Sequence, residues 1–174
     1  MQATSRLTIR CETSDDIPTI HRIKTVAFGR PNEADLVDVL RRNNALTIAP
    51  VAVQDGHLDG HIALGSVTIT SRTASVEALG LGPTAVLPDY QRRGIGSQLV
   101  EAGLTAYHHT PYGVVVVLGH PHYDPRFGFT PAQPWGIVRE HDVPDEACMV
   151  KEIQEGALAH TRGMVKYRPE FAVV

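Results

Sequence analysis

Cysteine is scarce in this 174-residue sequence, which contains only Cys11 and Cys148. Two thiols in a chain without a secretory leader are more often buried and reduced than joined in a disulfide or bound to a metal ion. We therefore predict that both thiols are buried and reduced, and we assign no function to them.

Long apolar segments are missing as well. Residues Met1–Arg10 lack the apolar centre of a secretory leader, and the longest strongly apolar run, Val114–Leu118, is far too short to cross a bilayer. We therefore expect no membrane partner and a location in the cytoplasm.

Positive charge is not in excess. The sequence has 16 Lys and Arg against 19 Asp and Glu, so it offers no broad field that would attract a nucleic-acid backbone. Nucleic acid is accordingly not expected as a partner.

The content of 43% hydrophobic and 20% charged residues is ordinary for a globular protein, and the length fits one domain over residues 1–174.

The apolar pattern predicts strands mixed with helices. A first strand is expected at Leu7–Cys11, then a helix that ends near Gly29, and a second helix that Asn32 caps and that fades by Asn43. Further strands are predicted at Leu46–Val53, His61–Thr70, Val76–Leu87, Val114–Leu118 and Met149–Ile153. The first two of these form an antiparallel hairpin, whereas Val76–Leu118 reads as a parallel strand–helix–strand unit.

The segment Gln91–Ser97 carries the main chemical signal. Gly94 and Gly96 remove side chains where successive backbone N–H groups turn toward one point, and the helix that begins here adds its positive end. Such a loop binds phosphate. A dinucleotide fingerprint would need a third glycine near Leu99, and a P-loop would need Gly-Lys-Ser or Gly-Lys-Thr, so both are excluded.

Residues Gln91–Gly96 also resemble a motif of the GNAT N-acetyltransferase superfamily: Gln or Arg, any two residues, Gly, any residue, then Gly or Ala. The motif alone is weak, since about 0.2 chance matches are expected in a chain of this length. The context strengthens it: Ala-Val-Leu-Pro-Asp-Tyr precedes the motif, and a helical stripe, a buried strand and Arg-Phe-Gly-Phe follow it. Four further segments resemble the YhbS-like branch of this superfamily: Phe28–Pro31, Glu33-Ala34, Leu118–Pro121 and Gly156–Leu158.

The resemblance implies an α/β fold with a mixed, mostly antiparallel sheet that helices flank. Its fourth and fifth strands, here Val76–Leu87 and Val114–Leu118, would splay and admit the pantetheine arm of acetyl-CoA. The backbone around Ala85 and Val86 would pair with the pantetheine amides and could place an N–H near the thioester oxygen. The pyrophosphate would be held by Gln91, Arg92, Arg93, Gly94, Ile95, Gly96 and Ser97.

The implied reaction is direct attack of a neutral amine on the thioester, without a metal, and it needs a base or a water chain to deprotonate the amine and an acid for the thiolate. Superfamily members often place a Glu on the fourth strand, but here that position is close to Gly80, and Glu77 is the only carboxylate on the strand. The position of the usual Tyr that protonates the thiolate is Asp124, which Tyr123 precedes. The acid is therefore Tyr123, Asp124 or solvent. We favour Tyr123 because an ordinary Asp is already ionised at neutral pH.

Several of these residues have a structural interpretation too. Tyr123 could pack against the cofactor instead of donating a proton. Glu33 is a candidate catalytic residue where the acceptor would approach. A Glu in the first turn of a helix also complements the positive helix N-terminus, and we favour this structural interpretation. His120, His122 and Asp124 alternate as metal ligands can, but they belong to a family-like loop that needs no metal.

The alternative function is a non-catalytic acyl-CoA-binding sensor on the same scaffold, which the missing Tyr at position 124 favours. The acceptor amine stays open between a small molecule, an antibiotic, a peptide and a protein lysine or N-terminus. Oligomeric state is open too, with a homodimer as the form to test.

Overall fold

A computed structural model describes residues 5–140 and 144–174 of the chain. The described chain forms two compact units. The first unit contains the residues up to Leu64, Pro83–Ala106 and Glu170–Val174, and the second contains Gly65–Gly82 and Tyr107–Pro169. The expectation of a single domain over residues 1–174 stays a prediction.

The first unit begins with strand β1 and two helices. In chain order it contains β1 (Leu7–Cys11), α1 (Ile17–Phe28), α2 (Asn32–Arg42), β2 (Leu46–Ile48), β3 (Pro50–Gln54), the start of β4 (His57–Thr70), the end of β5 (Ser75–Val86) and α3 (Ile95–Ala106). Gly29 ends α1 in the left-handed conformation, with φ 70°, as the sequence predicted. The start of α2 differs by one residue from the prediction, since Pro31 is the N-cap and Asn32 is already helical.

Antiparallel pairing joins the first-unit strands. β1 pairs with β3, and β3 pairs with β4 across a turn at Asp55 and Gly56, whose φ angles are 51° and 82°. The predicted strand Leu46–Val53 is divided into β2 and β3, because Pro50 has no N–H with which to continue a ladder. β4 begins at His57 rather than His61, so Asp59 and Gly60 lie inside the strand, next to an irregularity in its pairing with β3.

The second unit contains the rest of β4 and β5 and five further strands. These are β6 (Val114–Leu118), β7 (Thr130–Pro131), β8 (Ile137–Arg139), β9 (Cys148–Glu152) and β10 (Gly163–Lys166). β5 pairs with β6 in parallel, as predicted, and β9 pairs antiparallel with β6 and β7. β10 pairs antiparallel with β4 and parallel with β8. The apolar side chains of these strands form one core cluster that includes Val67, Ile69, Val116, Val150 and Val165.

The pairing confirms the predicted α/β class with a mixed, mostly antiparallel sheet flanked by helices. The β5–β6 ladder joins Leu79–Leu81 with Val115–Val117, although β5 itself continues to Val86. β5 and β6 therefore correspond to the strands that are counted as fourth and fifth in the GNAT superfamily. A short 3-10 helix spans Asp124–Phe127, between β6 and β7.

One prediction about the thiols is wrong. Cys148 is buried, but Cys11, the last residue of β1, is exposed. Both thiols are free. Within residues 5–140 and 144–174, none of the helices combines the length and the apolar character that a bilayer span requires.

Candidate cofactor site and candidate catalytic residues

The loop that follows β5 is built on local turns. Leu87 N–H donates to the Asp59 carbonyl over 2.9 Å, and Tyr90 N–H donates back to the Leu87 carbonyl over 2.9 Å. The Gln91 side chain also turns back, since its Nε2 donates to the Val86 carbonyl over 2.9 Å. These bonds hold the exposed segment Gln91–Gly94 against the end of the strand.

Two residues of this segment have left-handed backbone. Arg92 has φ 61° and Gly94 has φ 79°, an arrangement that turns successive N–H groups toward one side of the chain. Gln98 N–H donates to the Gly94 carbonyl over 3.1 Å, the first bond of α3. The amides of Ile95 and Gly96 therefore lie in the first helical turn, where N–H groups have no intrahelical acceptor and the helix dipole favours an anion.

Cationic side chains accompany these amides. Arg92 and Arg93 are exposed, and the Arg93 guanidinium lies 5.3 Å from the centroid of the Tyr90 ring. A guanidinium can form charge-assisted hydrogen bonds with a phosphate. The loop thus combines backbone donors, a helix N-terminus and positive charge, which is the chemistry that a pyrophosphate requires.

The end of β5 is closely packed under this loop. Ala85 is 2% exposed, and a Cβ added to Gly60 would lie 3.1 Å from the Ala85 carbonyl oxygen and 2.9 Å from Leu99 Cδ1. Only glycine allows β4 to approach β5 and α3 this closely. Of the two expected partners of pantetheine, Ala85 is therefore closely packed, while Val86 is half-buried.

A partly buried ionic network lies elsewhere in the first unit. The Glu12 carboxylate accepts hydrogen bonds from Arg41 Nε (2.7 Å), Arg41 Nη2 (3.0 Å) and His61 Nε2 (2.8 Å). Burial alone would raise the pKa of Glu12, but these donors lower it to about 2. Burial lowers the pKa of His61 to about 4 despite the nearby carboxylate, and its Nδ1 has no hydrogen-bond partner in the described part of the chain.

Lys24 is the functional candidate that the sequence patterns did not single out. Its side chain is 0% exposed, and its Nζ donates to the Pro83 carbonyl over 2.7 Å. Burial lowers the pKa of Lys24 to about 7, a shift that Glu12 and Glu33 oppose and Arg41 reinforces. The signal was present, because Lys24 follows Ile20 by four residues and Ile17 by seven, which places a charge on the apolar stripe of α1.

Glu33 lies in the first turn of α2 and pairs with a nearby arginine. Its buried carboxylate accepts hydrogen bonds from Arg30, including one from Arg30 Nε over 3.1 Å. The bond from Arg30 is the main cause that lowers the pKa of Glu33, which makes the carboxylate a weak base. This pairing supports the interpretation of Glu33 as a stabiliser of the helix N-terminus.

Asp124 closes a tight loop in the second unit. Its Oδ2 accepts the His120 N–H over 2.7 Å, and its own N–H donates to the His120 carbonyl over 3.0 Å. A Cβ at Gly119 would overlap with this carboxylate, so the loop requires glycine there. Burial raises the pKa of Asp124 above its ordinary value, although the bond from the His120 N–H opposes this shift.

Tyr123 lies beside Asp124 but has different contacts. Its half-buried ring packs edge-on against Phe127 with centroids 5.2 Å apart, and the Arg126 guanidinium lies 4.5 Å from the Tyr123 centroid. The ring is thus held from two sides. Tyr123 keeps its dual interpretation as a packing residue and as a proton donor.

The missing carboxylate on β5 has a steric reason. Gly80 is buried, and a Cβ at this position would lie 2.8 Å from Val67 Cγ1. A glutamate here would displace a core residue of the second unit. Glu77 is exposed.

Among the residues that the structure describes, no cluster of three or more His, Cys, Asp or Glu side chains could hold a metal ion.

The structure therefore divides the predicted residues into two sets. The first unit contains Glu33, Ala85, Val86, Gln91, Arg92, Arg93, Gly94, Ile95, Gly96 and Ser97, and the second contains Tyr123 and Asp124.

Comparison with known proteins gives a consistent result. Residues 8–132 match a family model described as an acetyltransferase (GNAT) domain. The chain is 32% identical over 164 residues to N-acetyltransferase YhbS of Escherichia coli K12, covering 94% of this chain and 97% of the relative. It is also 32% identical over 150 residues to N-acetyltransferase YjhQ of the same strain, with 83% of each chain covered.

Two solved structures are similar over nearly the whole chain. YhbS from Escherichia coli in complex with CoA has a TM-score of 0.90 and 31% identity, covering 98% of this chain and 94% of that one. A GNAT family acetyltransferase from Brucella melitensis in complex with acetyl-CoA has a TM-score of 0.79 and 30% identity, covering 95% and 98%.

Proposed function

The chain belongs to the GNAT acetyltransferase family, and from this premise we propose which of its residues carry out acetyl transfer. The protein is an N-acetyltransferase that uses acetyl-CoA. Acetyl-CoA supplies the acetyl group as a thioester, and the acceptor is an amine.

The pyrophosphate of the cofactor is held by residues Gln91–Ser97. The observation that carries this assignment is the left-handed backbone at Arg92 and Gly94, directly before the first turn of α3. It turns an exposed row of amides toward one point at the positive end of the helix. Arg92 and Arg93 add charge, and the backbone at Ala85 and Val86 pairs with the pantetheine amides.

The chemical step needs few groups from the chain. A neutral amine attacks the thioester carbonyl, the carbon–sulfur bond breaks, the acetylated nitrogen gives up one proton to a base or to water, and the thiolate takes up a proton. A backbone N–H at the end of β5 donates to the developing oxyanion. The Tyr123 hydroxyl donates the proton to the sulfur, because the Asp124 carboxylate is engaged by the His120 N–H.

A thiol-release assay tests this function. The protein is incubated with acetyl-CoA and three acceptor pools: small amines, peptides with a free N-terminus, and peptides with an internal lysine. We expect thiol release in excess of acetyl-CoA hydrolysis with at least one pool, and an acetylated amine by mass spectrometry. Tight acetyl-CoA binding by calorimetry without thiol release from any pool would favour the non-catalytic sensor instead.

The acceptor, the location and the assembly are also part of this proposal. We propose an amine on a small molecule or on a protein lysine or N-terminus as acceptor, and the cytoplasm as location, which fits the need for acetyl-CoA. Cell fractionation tests the location. Sedimentation at several protein concentrations tests the homodimer, which stays a prediction.

A further inference from the structure

Lys24 is buried in a way that lysine rarely is. Long cationic side chains usually bury their methylene groups and keep the ammonium in water. Lys24 instead is 0% exposed and lies on the same helix face as Ile20 and Ile23, which are 1% and 0% exposed. An amine in such a place is costly unless it is hydrogen-bonded, so its acceptor indicates what the residue does.

That acceptor is the backbone of β5. Lys24 Nζ lies 2.7 Å from the Pro83 carbonyl oxygen, across 59 positions of sequence. The two nearby carboxylates bond elsewhere, since Glu12 accepts from Arg41 and His61, and Glu33 accepts from Arg30. The amine is therefore directed at the strand rather than into the ionic network.

Pro83 lies in the part of β5 that has no ladder with β6, although β4 pairs with β5 on its other side. Proline has no N–H, so its position cannot donate to a neighbouring strand. The ladder between β5 and β6 covers residues 79–81 of β5, which lie before Pro83. Ala85 and Val86 follow Pro83 by two and three residues, which corresponds to about 7–10 Å of extended chain. A hydrogen bond at Pro83 thus stabilises the conformation of the segment that follows it.

We propose that Lys24 is a positioning residue for acetyl transfer, which holds the Pro83 carbonyl and thereby orients the backbone of Ala85 and Val86 toward acetyl-CoA. This inference rests on the proposed cofactor contacts of those two residues. Stability alone does not explain the lysine. A methionine of similar volume would fill the same space and avoid the desolvation of an amine.

The test compares Lys24→Met with Ile23→Val, a control that removes one methylene group from the adjacent buried residue of α1. We expect Lys24→Met to raise the Kd for acetyl-CoA in calorimetry about 10-fold, the scale of one lost hydrogen bond, while the melting temperature stays or rises. Ile23→Val should leave the Kd within about twofold. With any acceptor found, the KM for acetyl-CoA should rise and the KM for the acceptor should not.

Lys24→Gln supplies the rescue, because it keeps an N–H donor without the charge. We expect its Kd to lie between those of the wild type and Lys24→Met. An unchanged Kd in folded Lys24→Met or, should that variant not fold, in Lys24→Gln overturns the inference. The inference is also overturned if Ile23→Val loses as much affinity as Lys24→Met. The same holds if the loss of affinity in Lys24→Met is accompanied by a lower melting temperature.

A Gly94→Leu/Gly96→Leu variant separates this inference from the proposed function. If that variant binds acetyl-CoA as the wild type does, the assignment of the cofactor loop fails. If it loses binding while Lys24→Met retains it, the loop assignment stands and only the role of Lys24 is wrong.

Discussion

Asp124 and Tyr123 are neighbours in the chain, but different contacts hold them in place. The Asp124 carboxylate accepts the His120 N–H, and a loop with glycine at position 119 closes over it. Tyr123 is held through its ring, by Phe127 and Arg126. A phenol whose ring is fixed in place is suited to proton donation, whereas a carboxylate that holds a loop is suited to structure.

Tyr123→Phe tests this distinction, because it keeps the ring and its packing and removes the hydroxyl. We expect turnover to fall about 100-fold, the scale for losing a positioned acid, with little change in acetyl-CoA affinity. Steady-state kinetics and calorimetry measure the two effects. Full turnover in this variant would mean that solvent or Asp124 supplies the proton.

Asp124→Asn should act on stability instead. The amide keeps the shape of the carboxylate, but an acceptor of lower charge forms a weaker bond with the His120 N–H. We expect a loss of about 1–2 kcal/mol in the free energy of unfolding, from urea titration, and turnover close to wild type. A folded variant without turnover would identify Asp124 as the acid.

The connection between β5 and α3 is the element with the clearest chemical consequence. Its backbone turns through left-handed conformations at Arg92 and Gly94 immediately before the helix begins. Gly94 has no heavy atom within 4 Å of an added Cβ. A side chain there would therefore meet open space that the cofactor phosphates are expected to fill.

Replacement of both loop glycines, in Gly94→Leu/Gly96→Leu, should abolish acetyl-CoA binding while the protein stays folded. Gly56→Leu is a matched control, since Gly56 has φ 82° and also has no atom within 4 Å of an added Cβ. Left-handed backbone costs a leucine about 1–2 kcal/mol at either Gly94 or Gly56. Calorimetry measures the affinity for acetyl-CoA, and circular dichroism shows whether each variant is folded. Equal affinities in the double variant and the control would contradict the loop assignment.

At the scale of the whole molecule, the pair of half-buried Glu12 and buried His61 couples folding to pH. The ordinary pKa of His61 is 6.5, and burial lowers it to about 4 in the folded protein. The unfolded chain therefore binds a proton more readily between these values, and stability falls as the pH falls. Glu12 adds the same trend at lower pH, since its pKa falls from 4.5 to about 2 on folding.

We expect the free energy of unfolding to decrease by about 2–3 kcal/mol between pH 7 and pH 4.5 because of His61. His61→Gln keeps a donor to Glu12 and cannot become charged, so its unfolding free energy should change much less over this range. Urea unfolding at both pH values measures the difference. An equal pH dependence in the wild type and the variant would show that other groups are responsible.

Local sequence determined much of the framework and of the cofactor loop. Backbone preferences of a few adjacent residues determine three local features. These are the end of α1 at Gly29, the hairpin turn at Asp55-Gly56 and the start of α3 after Gly94. The phosphate loop could be predicted for the same reason, because its donors are consecutive amides. The family could be predicted because these local motifs recur in a fixed order.

Only the tertiary structure decided which distant groups meet. The pairing of Lys24 with Pro83 spans 59 positions, that of Glu12 with His61 spans 49, and the sequence offers no spacing rule for either. It likewise decided that Cys11 is exposed and that Gly80 leaves no room for a carboxylate. Local preferences act between neighbours in the chain, whereas burial and hydrogen bonding between distant residues depend on how strands and helices pack.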